Sequence, residues 1–395
     1  MDDLTIEQSF ALLKKYVEEK DFKGCDPFDG LNSVYFQKSP LRHFKLTRLA
    51  WIQFFKRSPI NFRKLLRVEE GYNSKGLGLF LSGYCNLYKI DKNEKVLEKI
   101  KCLIDKIVAS QTKGYSGACW GYNFDWQARA FFQPKYTPTV VATTYVAYSL
   151  LDAYEIINDE NLLRIARSSC DFILSDLNRT EDQDGNICFS YSPEDNTQIF
   201  NASLLASRLL ARVYSYTKEE LLKDAARKSV AFCCNFQAPD GAWTYGTLPF
   251  HQWIDNFHTG FNLECIGEYE KHCNDYSFDE FKLRGFNYYV NTFFTDNGES
   301  KYYNNSLFPI DIHAPAQLLV TLVRLNKLED HKKLAKRVLS WTIKNMQNSS
   351  GFFYYQKKRN WNSKIPYMRW AQAWMFYSMS MYLSKINNEQ KNDFI

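Results

Sequence analysis

Four polar side chains recur at one place in a repeat: Asn201, His258, His313 and Arg369, spaced 57, 55 and 56 residues apart. Val141 holds the same place one copy earlier. Each falls in the first turn of a segment that reads as an apolar helix, with Asp255, Asn256 and Asp311 beside the two histidines. Asp and Asn are ordinary N-cap types, and capping accounts for them taken singly. It does not account for histidine and arginine, because the positive end of a helix dipole disfavours cations. Cations placed there point to an anion or polar ligand at the helix starts, where backbone N–H groups already favour negative charge. Arg369 adds a planar fork suited to a carboxylate or phosphate. Two of the six histidines share equivalent positions, which favours proton transfer over two unrelated structural roles.

A second constellation is the run Trp120-Gly121-Tyr122-Asn123-Phe124-Asp125-Trp126-Gln127-Ala128-Arg129. It alternates rings with hydrogen-bonding groups, as a sugar site requires: ring faces for stacking, polar groups for hydroxyls. The competing reading is a surface loop folding its aromatics onto the body. Trp243, Tyr245, Trp253, Trp361 and Trp370 project to the same region. The 16% aromatic content also fits an AT-rich genome, so position rather than number carries the binding reading. Asp184 and Asp240 lie in turns and read as structural.

Two chemistries fit these residues. Glycoside hydrolysis needs an acid and a second carboxylate, with Asp125, Asp255, Asp311 and Glu264 as candidates, Glu264 lying two turns into its helix. Epimerisation or elimination of a uronic acid needs a base and a carboxylate holder. His258 or His313 would take the proton while Arg369 holds the carboxylate. Trp120, Tyr122, Asn123, Trp126, Arg129, Asn201, Trp243, Tyr245, Trp253, Asn256 and Trp370 would bind substrate. Nothing calls for a metal or cofactor. The ten cysteines lack paired Cys-x-x-Cys spacing and read as small core residues with free thiols.

The elements that must position these groups follow from a repeat of roughly 56 to 60 residues. Turn phrases recur at Gln111 to Tyr122, Asp184-Gly185, Gln237 to Tyr245, Asp296-Asn297-Gly298 and Gln347 to Tyr355. Before them lie amphipathic stretches at 92–110, 159–176, 218–236, 276–294 and 329–346. After them lie more apolar ones at 139–157, 198–216, 257–272, 312–327 and 367–385. Outer and inner rings of helices require this alternation. The spacing predicts an all-α (α/α)6 toroid, one domain over 1–395. Residues 1–40 form an extra N-terminal helix (7–20) and lead-in, and 41–385 form six hairpins, the first pairing 41–57 with 74–90. A polar tail occupies 386–395. An open superhelix would expose the apolar last helix, with Trp370, Trp374, Phe376 and Tyr377, so closure onto the first hairpin is expected.

A net charge of +6 is mild. The basic stretch from Arg42 to Arg67 alternates with apolar residues at helical spacing and reads as a solvated helix face rather than a nucleic-acid patch. It leaves room for an anionic substrate or peripheral contact with a membrane surface. No signal pattern follows Met1, and no apolar run is long enough to span a bilayer, so a cytoplasmic protein is expected.

Trp120 to Gln127, continuing through Tyr136-Thr-Pro-Thr-Val-Val-Ala142, resembles an α/α-toroid family encoded in exopolysaccharide, capsule and O-antigen loci, the vibrio biofilm-polysaccharide toroid among them. Ile254-Asp-Asn-Phe-His-Thr-Gly260 and Pro309-Ile-Asp-Ile-His-Ala-Pro-Ala-Gln317 match the same family, and the likeness runs from about Asp26 to the last helix. More distantly the chain is similar to six-hairpin glycosidases, polysaccharide lyases and the helical domain of uronyl C5-epimerases. The resemblance implies a toroid and a cell-surface polysaccharide context. Its alternatives are a non-catalytic glycan-binding component and an isoprenoid-handling toroid. For the last, the Asp-x-Asp-Asp motif of alkene-protonating cyclases is missing, as is the Cys-His-Gly segment of lanthionine cyclases.

Overall fold

The computed structural model describes residues 3–392 and the side chains of 5–387. Fourteen α-helices occupy the described residues: α1 (Asp3–Glu19), α2 (Val34–Lys38), α3 (Lys45–Arg57), α4 (Ser74–Ile90), α5 (Glu94–Ala109), α6 (Val140–Ile157), α7 (Glu160–Ser175), α8 (Phe200–Thr217), α9 (Glu220–Cys234), α10 (Asn256–Cys273), α11 (Asp279–Phe293), α12 (His313–Arg324), α13 (Lys332–Met346) and α14 (Trp374–Asn392). A π-helical turn, Met368–Ala373, leads into α14. The inner helices α4, α6, α8, α10, α12 and α14 pack each on the next, and α14 packs back on α4. The chain is therefore the closed toroid that the repeat predicts.

Composition decides which helix goes inside. In α6 every residue from Val140 to Ala153 is buried, so the inner place takes a helix that is apolar round most of its surface and most of whose polar groups are paired inside. In α5 the buried residues are Ile100, Leu103 and Ile107, one stripe of an otherwise charged helix. Inner helices stop at residues in the left-handed region, Asn158, Lys218, Asn274 and Asn326, with φ of 58°, 60°, 51° and 53°. The turn phrases hold Gly185, Gly241, Gly298 and Gly351 at φ of 76°, 97°, 97° and 96°, a conformation that side chains resist. At Gly241 a Cβ would also lie 2.4 Å from the Arg284 carbonyl. Nine of the ten cysteines are buried core residues, Cys102 being the exposed one.

The structure differs from the expected hairpin series at its start. The N-terminal helix is present as α1, and it packs on α14, α13 and the π-helical turn. Ser9 and Gln347 exchange hydrogen bonds at 2.6 and 3.0 Å. Thus α1 fills the outer place beside the last inner helix. Residues 41–57, expected as the first outer helix, form a 3-10 turn at Pro40–His43 and α3, which packs on the turn Asp29–Asn32 and the short strand Trp126–Gln127. Residues 386–392 continue α14 rather than forming a tail; 393–395 lie outside the described residues.

Residues 24–71 form an excursion whose neck is closed by mutual backbone bonds between Gly24 and Gly71, 3.2 and 3.3 Å. A Cβ on Gly24 would come within 2.7 Å of the Met368 Cβ, so glycine permits the close approach. At the opposite end from the inner-helix starts, the ring is filled by ions. Arg208 pairs with Glu264, Arg212 with Asp152 and Glu155 at 2.7 and 2.8 Å, and Arg324 with Glu268 at 3.5 Å. The Tyr148 ring lies 4.2 Å from both Arg208 and Arg212, and its hydroxyl donates to Glu268.

Candidate functional site

All six inner helices begin at one mouth, and the second residue, or a near neighbour, of each first turn is polar or charged in five of them. These positions are Lys75, Val141, Asn201, His258, His313 and Arg369. Lys75 completes the register that the sequence spacing leaves short.

Asp255 caps α10, its Oδ1 accepting the His258 backbone N–H at 3.0 Å. Its Oδ2 accepts the Trp253 indole N–H at 2.9 Å and lies 2.7 Å from His258 Nδ1. The carboxylate is buried while the imidazole is 21% exposed, so Nε2 is the nitrogen left for a ligand. A base oriented by a buried carboxylate on its far nitrogen is the arrangement found in nucleophile-activating triads. His313 differs. It is 2% exposed, and neither ring nitrogen has a hydrogen-bond partner among the described residues. Burial holds it well below the usual histidine range, and the charges of Lys75, Arg369 and His258 add to this. The two imidazoles flank the same rings: Phe257 lies 4.5 Å from His258 and 4.6 Å from His313, and Phe261 5.8 and 5.7 Å.

Lys75 is 4% exposed, and its ammonium sits 4.3, 5.1 and 5.6 Å from the rings of Tyr145, Trp374 and Phe261 rather than against a carboxylate. Burial, then Arg369 and Arg208, pull it well below the usual lysine range. Trp374 also touches His313, 4.2 Å between ring centres, which joins the lysine to the histidine pair.

Several expected site residues take other places. Arg369 is 4% exposed and grips Asp26, Nε to Oδ2 at 2.5 Å and Nη2 to Oδ1 at 2.8 Å. Its fork is filled by the protein, so it is not a free anion holder. Trp120 and Trp243 are core residues whose indole N–H groups donate to the Ile107 and Cys233 carbonyls at 2.9 and 3.0 Å, tying turn phrases to outer-helix ends. Asn256 accepts from the Tyr289 hydroxyl on α11 at 3.1 Å and so faces the outer ring. Asn123 and Asp125 bind the excursion and the α4 cap: Asn32 Nδ2 to the Asn123 carbonyl at 2.9 Å, Asn73 Nδ2 to Asn123 Oδ1 at 3.0 Å, Gln37 Nε2 to Asp125 Oδ2 at 3.1 Å. Tyr122 is buried, its hydroxyl 3.1 Å from that of Tyr191 and its ring 5.0 Å from the Arg369 guanidinium. Asn201 is buried with its side-chain oxygen unpartnered among the described residues. Glu264 lies in the ion layer with Arg208. Asp311 is buried and accepts N–H groups from His313 (3.0 Å), Trp370 (2.9 Å) and Gln356 (2.6 Å); burial pushes its carboxyl up to about 6.

What remains partly open is a wall of rings. Tyr245 stacks on Trp253 at 4.6 Å and meets His258 at 4.6 Å. Across from them Phe28 bridges Trp126 and Trp370 at 6.0 and 5.6 Å, and Arg129 is exposed, its charge felt by His251 and Tyr303. Lys56 of α3 lies 4.6 Å from the Phe28 ring. Burial pulls it down to about 8, Asp311 opposing this and Lys358 and Arg57 adding to it. Lys56, Asp26 and Lys75 are the functional candidates that sequence spacing missed.

No protein-family model matches the chain, and no curated protein matches it in sequence. Solved structures share the ring. It is similar to the cellobiose 2-epimerase of Bacillus thermoamylovorans, with 12% identity, 81% of this chain and 90% of that one covered, and a TM-score of 0.63. The GH76 α-mannanase of Bacteroides thetaiotaomicron gives 11%, 80%, 88% and 0.62. An unsaturated glucuronyl hydrolase specific for heparin gives 13%, 80%, 86% and 0.56. At such identities the likeness establishes a six-hairpin toroid of the kind used by sugar epimerases and glycoside hydrolases.

Proposed function

We propose that this chain is a carbohydrate-active enzyme that moves a proton on an acidic sugar, epimerising or eliminating at the carbon beside its carboxylate, in cell-surface polysaccharide biosynthesis in the cytoplasm. The observation that carries the reading is the histidine pair: His258 held by Asp255 at 2.7 Å, and His313 buried beside it with both ring nitrogens unpartnered among the described residues. His313, neutral, accepts the proton. His258, whose doubly protonated ring would be balanced by Asp255, returns one. Return to the same carbon gives epimerisation; loss of the group on the next carbon gives elimination. The ring wall of Tyr245, Trp253, Trp126 and Trp370 suits sugar faces. Lys56 and Lys358 take the anion-holding role in place of Arg369.

The hydrolase reading has less support, because Asp26, Asp125, Asp255, Asp311 and Glu264 are each engaged by protein donors. The cationic mouth does not suit an isoprenoid. In heavy water, a uronic-acid oligosaccharide from the producing cell's surface polysaccharide should gain deuterium at the carbon beside the carboxylate, or a double bond. His258→Ala should stop this while glycan binding survives. Binding without exchange or turnover in the unaltered protein would replace this reading with a non-catalytic glycan-binding one.

A further inference from the structure

The excursion lends Phe28 and Lys56 to the mouth, but its outward face is a separate surface, uneven in both charge and polarity. Between Val34 and Arg67 there are nine Lys and Arg and no Asp or Glu, so the rest of the chain is net negative. The same segment holds seven of the large hydrophobic side chains that face solvent: Tyr35, Leu41, Phe44, Leu46, Phe54, Ile60 and Leu65, with Leu46 at 79% and Leu65 at 70% exposure.

The geometry is that of an amphipathic element with its apolar side turned outward. On α3, beyond its first residue Lys45, the exposed residues are Leu46, Ala50, Phe54 and Arg57, spaced by four, four and three, which is one helix face. The opposite side, Ile52 and Phe55, is buried. Trp51 donates to the Gly30 carbonyl at 3.0 Å, and Arg48 to Gln127 at 2.9 Å beside Trp126. The body of the excursion is thus fixed, and its apolar face is presented at the rim of the mouth.

We propose that this face is a peripheral docking surface for an anionic lipid bilayer. Aliphatic side chains ringed by exposed Lys38, Arg42, Lys45, Lys64 and Arg67 match an acyl–headgroup boundary, where apolar insertion and attraction to anionic lipid act together. Phosphodiester backbones would reward the cations but leave Leu46, Ile60 and Leu65 with nothing to bury against. A second copy would bring two strongly positive faces together. Seated this way, the mouth lies alongside the membrane, within reach of a substrate carried on a lipid. This proposal stands apart from the proton-transfer reading, because vesicle binding needs no turnover.

The test is flotation of the whole protein with phosphatidylcholine vesicles, with and without about a quarter phosphatidylglycerol. The expected result is capture by the anionic vesicles only, weakened by salt. Capture should fall roughly tenfold or more in both Leu46→Ser/Phe54→Ser and Arg42→Glu/Lys45→Glu. Unchanged melting would show that both variants fold. Failure to bind anionic vesicles, or equal capture of either variant, overturns the proposal. So does binding of a single-stranded oligonucleotide that survives Leu46→Ser/Phe54→Ser with no vesicle binding. A dimer lost in that same variant, again with no vesicle binding, would overturn it too.

Discussion

His258 has a buried carboxylate at 2.7 Å, whereas His313 has no hydrogen-bond partner among the described residues, and substitution should separate them. His258→Ala is expected to lower kcat by about 10²–10⁴, the usual contribution of a positioned acid or base, in the deuterium-exchange assay. His313→Phe should abolish turnover yet raise stability by about 1–3 kcal/mol in urea melts, because it removes two unpaired polar atoms from the interior. A residue kept only for structure would show the reverse sign. Lys56 adds a pH prediction. With its ammonium near 8, KM for an anionic substrate should rise as pH passes about 8, and Lys56→Gln should give a high KM that no longer changes there. The register of His258, His313 and Arg369 is legible in sequence because the repeat sets it. The partner of Arg369 is not, since Asp26 lies 343 positions away. Nor does spacing distinguish Trp120, bonded inside the core, from Trp126 at the mouth, because that choice is made by which carbonyl the indole meets.

At the scale of elements, the alternation of amphipathic and all-apolar stretches is enough to assign outer and inner helices, and the Asp-Gly and Asn-Gly phrases mark the turns between them. Trp243 shows how those turns are held: its indole caps the last turn of α9 at the Cys233 carbonyl. Trp243→Phe should therefore cost about 0.5–1.5 kcal/mol by removing one buried hydrogen bond, the Cys233 carbonyl keeping the Phe236 N–H at 3.3 Å, measured by thermal melting. Trp253→Phe, at the half-open wall, should weaken glycan binding as well as lower the melt, because it also removes the indole donor to the buried Asp255 carboxylate. The misplacement of 41–57 has a physical cause. An amphipathic helix shows only that one side is covered, not by what, and α3 is covered by the Asp29–Asn32 turn and the Trp126 strand rather than by an inner helix. Lys75 is not signalled by spacing because the long connection between α5 and α6 widens its interval and the next position, Val141, is apolar.

For the whole molecule, the ring is stoppered at one end by charge. Burial opposes ionisation of Glu268, but Arg324 and His272 more than offset it and hold it well below the usual carboxylate range; Asp152 is lowered likewise, burial being outweighed by Arg212, Arg324 and Lys89. Groups whose folded state favours the carboxylate stabilise the fold above their unfolded values, 4.5 and 3.8, and this is lost as pH falls below them. Glu268→Gln should flatten that acid limb in urea melts and, by stranding Arg324, cost about 3–5 kcal/mol near neutral pH. Closure itself was legible from the apolar last helix, though not that α1 would complete the outer layer beside it. That pairing sets a timetable. A ribosome releases α1, with Ile6, Phe10, Leu13 and Val17 forming the stripe that the finished ring buries, long before it releases α14. At roughly 5–20 residues per second, the nascent helix waits on the order of tens of seconds for its seat. Until then the apolar stripe of α1 lacks the side chains of α14 that cover it, Phe376 against Phe10 among them.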